Sequence, residues 1–217
     1  MKEFFRQMCH KPNMKRRVPI VILASIGVGF SLAWLIRVDM GLDPYTCFNQ
    51  IMAQRIGITI GTWQTIFNCM LFVVIVLFGR EYIGWGTVAN MLLVGFSIDF
   101  FSWILDMVLP AGFFENPVVR VAVLVPALLL FIVVIALYVD MELGTSPYDA
   151  LPFLVAKMLP RVPFAIVRCA YDILFVVIAV VLGNKIGIVT IFMAFLVGPV
   201  ISWLGKIIQP WIGVESE

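Results

Sequence analysis

The sequence predicts an all-α membrane protein in which six transmembrane helices form two inverted three-helix repeats. Three observations lead to this class: the composition, the spacing of the apolar runs and an internal duplication. Hydrophobic residues make up 62% of the 217 positions, charged residues make up only 13%, and the mean hydropathy is +1.06. A soluble domain of this length needs more polar residues to cover its surface. The chain is therefore expected to reside in a lipid bilayer.

Six apolar runs are long enough to cross a membrane, which takes about 20 residues of α-helix. Backbone groups in lipid must be hydrogen-bonded within the segment, so runs of this length predict helices and not strands. The first run follows basic residues, as a signal peptide does, but it is too long for a typical signal core and lacks a small-residue cleavage site. We therefore expect it to be retained. The predicted crossings are 18–37, 61–79, 84–108, 118–138, 163–182 and 187–208.

An internal duplication divides these crossings into two halves. Residues 41–45 read GLDPY and residues 144–148 read GTSPY, so a glycine, a proline and a tyrosine recur 103 positions later. The same offset aligns matching residues of 84–95 with those of 187–198. Each half holds three crossings, an odd number, so the second half is expected to be inverted, as in many secondary transporters. The predicted divisions are a basic tail at 1–17, a first repeat at 18–108, a linker at 109–117, a second repeat at 118–208 and a C-terminal tail at 209–217.

The charge distribution predicts orientation and partners. Six of the cations lie in the N-terminal tail, which favours a cytoplasmic N-terminus and, after six crossings, a cytoplasmic C-terminus in a bacterial plasma membrane. The cations form no stripe, so a nucleic-acid partner is not expected. The expected partners are the lipid bilayer and a small-molecule solute, and the chain is compatible with a homodimer. The tail cations are Lys2, Arg6, Lys11, Lys15, Arg16 and Arg17.

The duplicated motif predicts a turn followed by a short amphipathic helix in each half. Proline is common in the first turn of a helix, and the preceding Asp43 or Ser146 is a good N-cap. One interpretation is a helix at the membrane interface, anchored by Tyr45 and Tyr148. The other is a re-entrant half-helix whose N-terminal amides face a substrate anion. The inverted repeat places the first motif outside the membrane and the second inside. The predicted gate or turn residues are Gly41, Pro44, Gly144 and Pro147.

Polar residues inside the crossings predict a site at mid-depth. Arg168 and Asp172 are four residues apart in the fifth crossing and so share one helix face. With one inserted residue they align with Gln64 and Asn68 of the second crossing, which are also four apart. Charges at this depth usually face a cavity or protein and serve function. The alternative is a self-neutralised pair that only fixes helix packing.

Asp99, in the third crossing, has two interpretations. Its carboxylate either takes up a proton or a cation that couples to transport, or bonds to a neighbouring helix. Its counterpart at the 103-residue offset is Ser202, so the two halves have diverged here.

No enzyme signature is present, and no cofactor or metal is expected. The single histidine, His10, lies beside Cys9 in the tail, and this dipeptide alone cannot form a closed metal site. The other cysteines, Cys47, Cys69 and Cys169, are scattered in apolar sequence and are expected to be buried free thiols. The chain lacks a phosphate-binding loop, HExxH and GxSxG.

These residues resemble the YczE/YitT-like family of bacterial integral membrane proteins, and most closely the YczE type. The likeness covers nearly all of the chain beyond the basic tail. The first half departs from the pattern with Asp43 in place of the serine and Thr46 in place of the final acid. The resemblance implies a polytopic plasma-membrane protein of unassigned biochemistry for which transport is the usual expectation. The matching positions of the second half are Gly144, Ser146, Pro147, Tyr148, Asp149, Arg168 and Asp172.

The sequence therefore predicts a small-solute permease that works by alternating access. Two alternatives stay open: the substrate-capturing subunit of a vitamin transporter driven by separate ATPases, and an accessory or regulatory membrane protein. Asp99 is the candidate coupling residue. The predicted substrate-binding residues are Gln64, Asn68, Arg168, Asp172, Tyr45, Tyr148, Ser146 and Asp149.

Overall fold

The computed structural model describes residues 13–195 together with 200, 203, 204 and 207. Over these residues the protein is helical and contains no strand. A single 3-10 turn, Arg80–Tyr82, joins two of the helices, and residues 188–195 are also helical. The helices are α1 (Met14–Val38), α2 (Pro44–Ile56), α3 (Ile60–Phe78), α4 (Trp85–Val108), α5 (Pro117–Asp140), α6 (Pro147–Met158) and α7 (Phe164–Val181).

Five of these helices are long and apolar enough to cross a membrane: α1, α3, α4, α5 and α7. They confirm five of the predicted crossings, with ends that differ from the predicted ones by at most a few residues. The sixth, predicted at 187–208, lies partly outside the described residues, and its described beginning is helical. The predicted C-terminal tail at 209–217 is outside them altogether.

The first helix begins earlier than predicted. It starts at Met14, so residues 14–17 belong to α1 and not to the basic tail. Arg17 is only 2% exposed, and its guanidinium donates to the carbonyl of Met141 at 2.9 Å. A charged side chain in this position is held by acceptors of the protein, which a solvated tail residue does not need.

Helix α1 packs against both α4 and α5 and carries much of the apolar core. Glycines permit the closest crossings. A Cβ on Gly29 of α1 would lie 2.4 Å from the Cβ of Ser97, and a Cβ on Gly61 of α3 would lie 1.9 Å from the carbonyl oxygen of Gly95. Helix–helix contacts in membranes depend on such small residues because van der Waals packing drives association. Helix α4 is thus fixed against both α1 and α3.

The two short helices begin as the motif predicts. The Asp43 carboxylate accepts from the amide of Thr46 at 3.0 Å, and the Ser146 hydroxyl accepts from the amide of Asp149 at 3.1 Å. A proline occupies the first turn of each helix, where its missing N–H leaves no bond unmade. With 13 and 12 residues, α2 and α6 extend for about 20 and 18 Å at ~1.5 Å per residue. Neither is long enough to cross the membrane.

The short helices run to opposite ends of the molecule. At one end, here called the tail end, the start of α1 meets the end of α5, and Lys157 of α6 pairs with Glu81. At the other end, here called the far end, Arg55 of α2 donates to the carbonyl of Leu182 at 2.6 Å. Each short helix packs on a long helix of the other half of the chain: α2 on α7, and α6 on α3.

The backbone contacts that seat the two motifs recur at the 103-residue offset. At the tail end the amide of Gly86 donates to the carbonyl of Leu143 at 2.8 Å, and at the far end Val189 donates to Met40 at 3.2 Å. The glycines that precede these donors leave no room for a side chain. A Cβ on Gly84 or Gly187 would lie 1.9 Å from the carbonyl oxygen of Leu143 or Met40, respectively.

Charged contacts repeat in the same way. Arg17 lies 3.9 Å from Glu142 at the tail end, and Arg120 lies 4.0 Å from Asp39 at the far end. Both acidic residues have left-handed backbones, with φ of 49° and 52°. Arginine and acid are each displaced by 103 positions. Each motif is therefore preceded by an acidic residue with a left-handed backbone that lies close to an arginine.

Candidate functional site

The two motifs meet inside the protein. The rings of Tyr45 and Tyr148 are in contact, with centroids 4.3 Å apart, and Tyr148 is only 3% exposed. A hydrocarbon layer is about 30 Å thick. The prediction that Pro44 and Pro147 lie on opposite sides of the membrane is therefore wrong, because the adjoining tyrosines touch. The contacts also favour the half-helix interpretation over interfacial anchoring, since the tyrosine rings face each other and not the surface.

Each motif tyrosine donates to the polar residue at the middle of a long helix. The hydroxyl of Tyr45 donates to Asn68 Oδ1 at 2.7 Å, and that of Tyr148 donates to Asp172 Oδ1 at 2.8 Å. Asn68 lies near the middle of α3 and Asp172 near the middle of α7. The half-helices therefore begin at mid-depth of the crossing helices. Asn68 and Asp172, the second members of the aligned polar pairs, thus make the same contact with a motif tyrosine.

The second half carries a charged network. The Arg168 guanidinium donates from Nε to Asp172 at 2.9 Å and from Nη1 to Asp149 at 2.7 Å. Asp149 also accepts from the hydroxyl of Ser146 at 2.6 Å. The guanidinium lies 5.5 Å from the ring centroid of Tyr148, in reach of a cation–π contact. Arg168 thus joins α7 to the first turn of α6.

The first half holds neutral residues at the equivalent positions. Gln64, Asn68 and Thr46 occupy the positions of Arg168, Asp172 and Asp149. All three are buried, with exposures of 1 to 2%. The only acid of the first motif is Asp43, which occupies the serine position and caps α2. The two half-helix starts therefore share a backbone and differ in charge.

The half-helix starts do not favour an anion. The first-turn amides of Thr46 and Asp149 already donate to Asp43 and Ser146, and carboxylates occupy both positive helix ends. An added anion would meet Asp43 and Asp149 at close range. These contacts count against the interpretation that exposed amides face a substrate anion.

A cavity of about 1090 Å³ reaches both half-helix starts. Its described lining runs from the tail end, at Arg80 and Glu81, to mid-depth, at Gln64 and Asp172. None of the described lining residues falls in 33–42 or 173–192, the segments at the far end. There the Asn184 amide donates to the carbonyl of Cys47 at 2.8 Å and ties α2 to the segment after α7. The described cavity thus runs toward the tail end alone.

Most of the predicted site residues line this cavity. Asn68 does not, but it holds the hydroxyl of Tyr45. Of the turn residues, Pro44 and Gly144 are in the lining, whereas Gly41 and Pro147 are not. The predicted residues in the lining are Gln64, Arg168, Asp172, Tyr45, Tyr148, Ser146 and Asp149.

Three buried polar atoms in the lining have no protein partner among the described residues. They are the acceptors Oε1 of Gln64, a residue only 2% exposed, and Oδ2 of Asp43, and the hydroxyl Oγ1 of Thr145. An unsatisfied buried polar atom costs about 1 to 3 kcal/mol, so it calls for water or a ligand. Asp43 precedes Tyr45 by two residues, and Gln64 lies one helical turn from Asn68, so both of these acceptors are near the contact between the two motif tyrosines.

Asp99 lies away from the cavity. Its carboxylate accepts from the amides of Gly61 and Thr62 at 2.9 and 3.1 Å and from the hydroxyl of Thr59 at 2.5 Å. It therefore caps the start of α3 from a neighbouring helix. These contacts favour the interpretation that Asp99 bonds to a neighbouring helix, and we leave it out of the proposed site.

Sequence reasoning missed several lining residues. Asp43 was assigned only as a cap, and the aromatic side chains of Tyr82 and Trp85 were not considered. Glu142, which follows the end of α5, also lines the cavity and is not among the predicted site residues. The 103-residue offset pairs Glu142 with Asp39 and Arg17 with Arg120, a signal that the motif comparison alone did not use.

Fold and site together define a polytopic α-helical membrane protein with polar half-helix starts at its centre. The chain belongs to the family of unknown function DUF6198, whose profile matches residues 15–206. It is 29% identical over 184 residues to the uncharacterized membrane protein YczE of Bacillus subtilis (strain 168). The aligned region covers 84% of this chain and 80% of YczE. The predicted resemblance to YczE-like proteins is confirmed. No solved structure shows a significant match.

Proposed function

We propose that the protein is a secondary transporter, a small-solute permease that works by alternating access and is not an enzyme. The observation that carries the proposal is the meeting of two half-helix starts at mid-depth, at the inner end of a cavity that runs toward one end of the molecule. Solute sites of secondary transporters lie near the midplane, where interrupted helices supply polar groups. Unpartnered acceptors on Gln64 and Asp43 suit such a site.

The proposed architecture is a six-helix inverted repeat, with the sixth helix beginning at residues 188–195. Its support is the recurrence of contacts at the 103-residue offset on opposite ends of the molecule, notably Gly86 to Leu143 and Val189 to Met40. Rocking of one half against the other would close the cavity at the tail end and open it at the far end, because the two ends are built from equivalent contacts.

The proposed location is a bacterial plasma membrane with both termini in the cytoplasm. Support comes from the cations at the tail end, including Lys15, Arg16 and Arg161, which suit a cytoplasmic face. The cavity then opens inward. A bilayer and a small solute are the proposed partners, and a homodimer is compatible with this arrangement.

A capture subunit and an accessory protein are the competing functions. Each would need a surface for its partner protein, whereas the equivalent contacts at the two ends serve a carrier directly. Purification separates the three: copurifying ATPases would support the capture subunit, and a stable complex with another protein would support the accessory role.

Cysteine labelling tests the inverted architecture. Gln54 and Lys157 are 103 positions apart and exposed near the ends of α2 and α6. Single cysteines at these positions, in a background without the native cysteines, should react with an impermeant reagent from opposite membrane faces. Reaction from the same face would remove the inverted repeat.

Labelling inside the cavity tests alternating access. A cysteine at Asp149 should react from the face at the tail end and, in a fraction of molecules, from the other face. A cysteine at Glu115, in a surface loop, should react from one face only. Reaction of the Asp149→Cys variant exclusively from the tail end, under all conditions, would contradict a permease.

A further inference from the structure

The described cavity lining is acidic. It contains five carboxylates and two guanidiniums. The guanidinium of Arg168 is engaged by Asp149 and Asp172, and that of Arg80 lies at the tail end. Two of the carboxylates have cation partners outside the lining, Lys157 for Glu81 and Arg17 for Glu142, so the excess of negative charge lies at mid-depth, at Asp43 and in the Arg168 network. Low-dielectric walls strengthen the field of such charges on a solute. The carboxylates are Asp43, Glu81, Glu142, Asp149 and Asp172, and the guanidiniums are Arg80 and Arg168.

The unmet hydrogen bonds of the lining require a donor. Gln64 Oε1 and Asp43 Oδ2 are both acceptors, and both are buried without a partner among the residues that the structure describes. A solute that satisfies these atoms brings N–H or O–H groups.

Arg168 shows how this pocket accommodates a cation. Its guanidinium lies between two carboxylates and over the face of Tyr148, at 5.5 Å from the ring centroid. Carboxylates and aromatic faces are the groups with which proteins recognise ammonium and guanidinium ligands. Further aromatic side chains line the same cavity, namely those of Tyr45, Tyr82, Trp85, Phe153 and Phe164.

On the basis of the permease function proposed above, we propose that the solute is a small organic cation with N–H donors, that is, a protonated amine or a guanidinium compound. Its cationic group binds at Asp43 and Gln64, beside the fixed Arg168 network, and its apolar part contacts the aromatic lining. Neutral alcohols of the same shape lack the charge, and carboxylates are repelled by Asp43 and Asp149.

The test compares three matched probes on the purified full chain. The probes are 2-phenylethylammonium, the neutral 2-phenylethanol and the anionic 3-phenylpropanoate. Thermal unfolding is followed in detergent micelles, because a ligand that binds only the folded state raises the midpoint with the logarithm of its concentration. Only the ammonium ion should raise the midpoint.

Two variants locate the effect. Asp43→Asn keeps an N-cap, since asparagine caps as well as aspartate, and should weaken ammonium binding by about tenfold or more. Asp149→Asn should also weaken it, while Glu115→Gln, the same change on a carboxylate outside the cavity, should leave it unchanged.

Every other result overturns the inference. A shift with the carboxylate or the alcohol alone would show that the cavity selects another solute class and would leave the permease proposal standing. If 2-phenylethylammonium raises the unfolding midpoint of Asp43→Asn and Asp149→Asn as much as that of the unchanged protein, the ion binds somewhere else. No shift with any probe would reject the cationic solute, while the permease itself is judged by labelling from both faces.

Discussion

The two proline motifs have nearly the same backbone and different chemistry. Gly41 and Gly144 have φ of 114° and 105°, and both helices begin with a capped proline turn. Both motif tyrosines, Tyr45 and Tyr148, donate to the middle of a long helix at 2.7 and 2.8 Å. The first motif achieves this with neutral partners. An ion network is therefore not needed to build a half-helix start, although the first motif keeps one carboxylate, that of Asp43, as its cap.

The second motif adds a charge network at the same place. Arg168, Asp149 and Asp172 replace the neutral set Gln64, Thr46 and Asn68. Buried ion networks often add no net stability over neutral replacements, because desolvation offsets their attraction. We therefore propose that the charges serve solute handling, whereas the shared backbone serves architecture. The following predictions test that division.

Removing the cation of the second motif should have the largest effect. Arg168→Gln leaves Asp149 and Asp172 without their partner, and breaking a buried pair costs about 3 to 5 kcal/mol. The side chain of Arg168 is 34% exposed, so we expect the lower end of that range, about 3 kcal/mol. Equilibrium unfolding in micelles measures the loss.

A triple variant is the matched control for Arg168→Gln. Adding Asp149→Thr and Asp172→Asn copies the first motif into the second, so that no charge is stranded. Most of the lost stability should return, while binding of the solute should not. A triple variant as unstable as Arg168→Gln would mean that the charges serve architecture.

Substitution of the paired glycines should act equally on both halves. Gly84→Ala and Gly187→Ala each place a Cβ within 1.9 Å of a carbonyl oxygen, and overpacking of this kind costs about 1 to 3 kcal/mol. The control is Gly57→Ala, where nothing lies within 4 Å of the added Cβ and only the left-handed backbone, at about 1 to 2 kcal/mol, opposes the change. Unequal losses of stability at Gly84 and Gly187 would contradict the equivalence of the backbone contacts that hold the two motifs in place.

Removing the tyrosine hydroxyls should distinguish the motifs. Tyr148→Phe deletes a hydrogen bond to a carboxylate, worth about 1.5 to 3 kcal/mol, whereas Tyr45→Phe deletes one to a neutral amide, worth about 1 kcal/mol. The larger loss should therefore follow Tyr148→Phe in unfolding experiments. In an Asp172→Asn background the two substitutions should cost the same stability, because both tyrosines then donate to a neutral amide. A difference that persists in this background would mean that the charge of Asp172 is not its cause.

The smallest effect should come from the exposed pair of Lys157 and Glu81. Bonding to the Lys157 ammonium lowers the pKa of Glu81, so the pair stabilises the fold above the unfolded pKa of Glu81 and ceases to do so as the pH falls through its lowered folded value. Lys157→Ala should lower the unfolding midpoint slightly at neutral pH and not below that pKa. The Gln54→Ala variant, at the equivalent first-half position, should show no such pH dependence.

Much of the fold was predictable because it follows from hydropathy. Runs such as 61–79 and 118–138 appear as α3 and α5 with small shifts of their ends, since lipid fixes the length of a crossing helix. Proline, cap residue and glycine likewise predicted the starts of α2 and α6. These features depend on neighbouring residues alone.

The arrangement of the site was only partly predictable. The sequence selected the residues that line the cavity, such as Arg168 and Asp149, but it could not show that they bond to each other across 19 positions. The contact between Tyr45 and Tyr148 depends on how two helix pairs cross, which no local pattern encodes. The sequence left Asp99 open between coupling and bonding to a neighbouring helix, because its three donors become known only from the structure.

The cap that Asp99 provides also constrains how the chain enters the membrane. The amide of Gly61 is satisfied by a carboxylate 38 positions later in the chain, on the next long helix. When α3 leaves the insertion machinery, its first amides lack this acceptor until α4 arrives beside it. The two helices are thus expected to partition into lipid as one hairpin, with α3 held near the aqueous channel until its partner is synthesised.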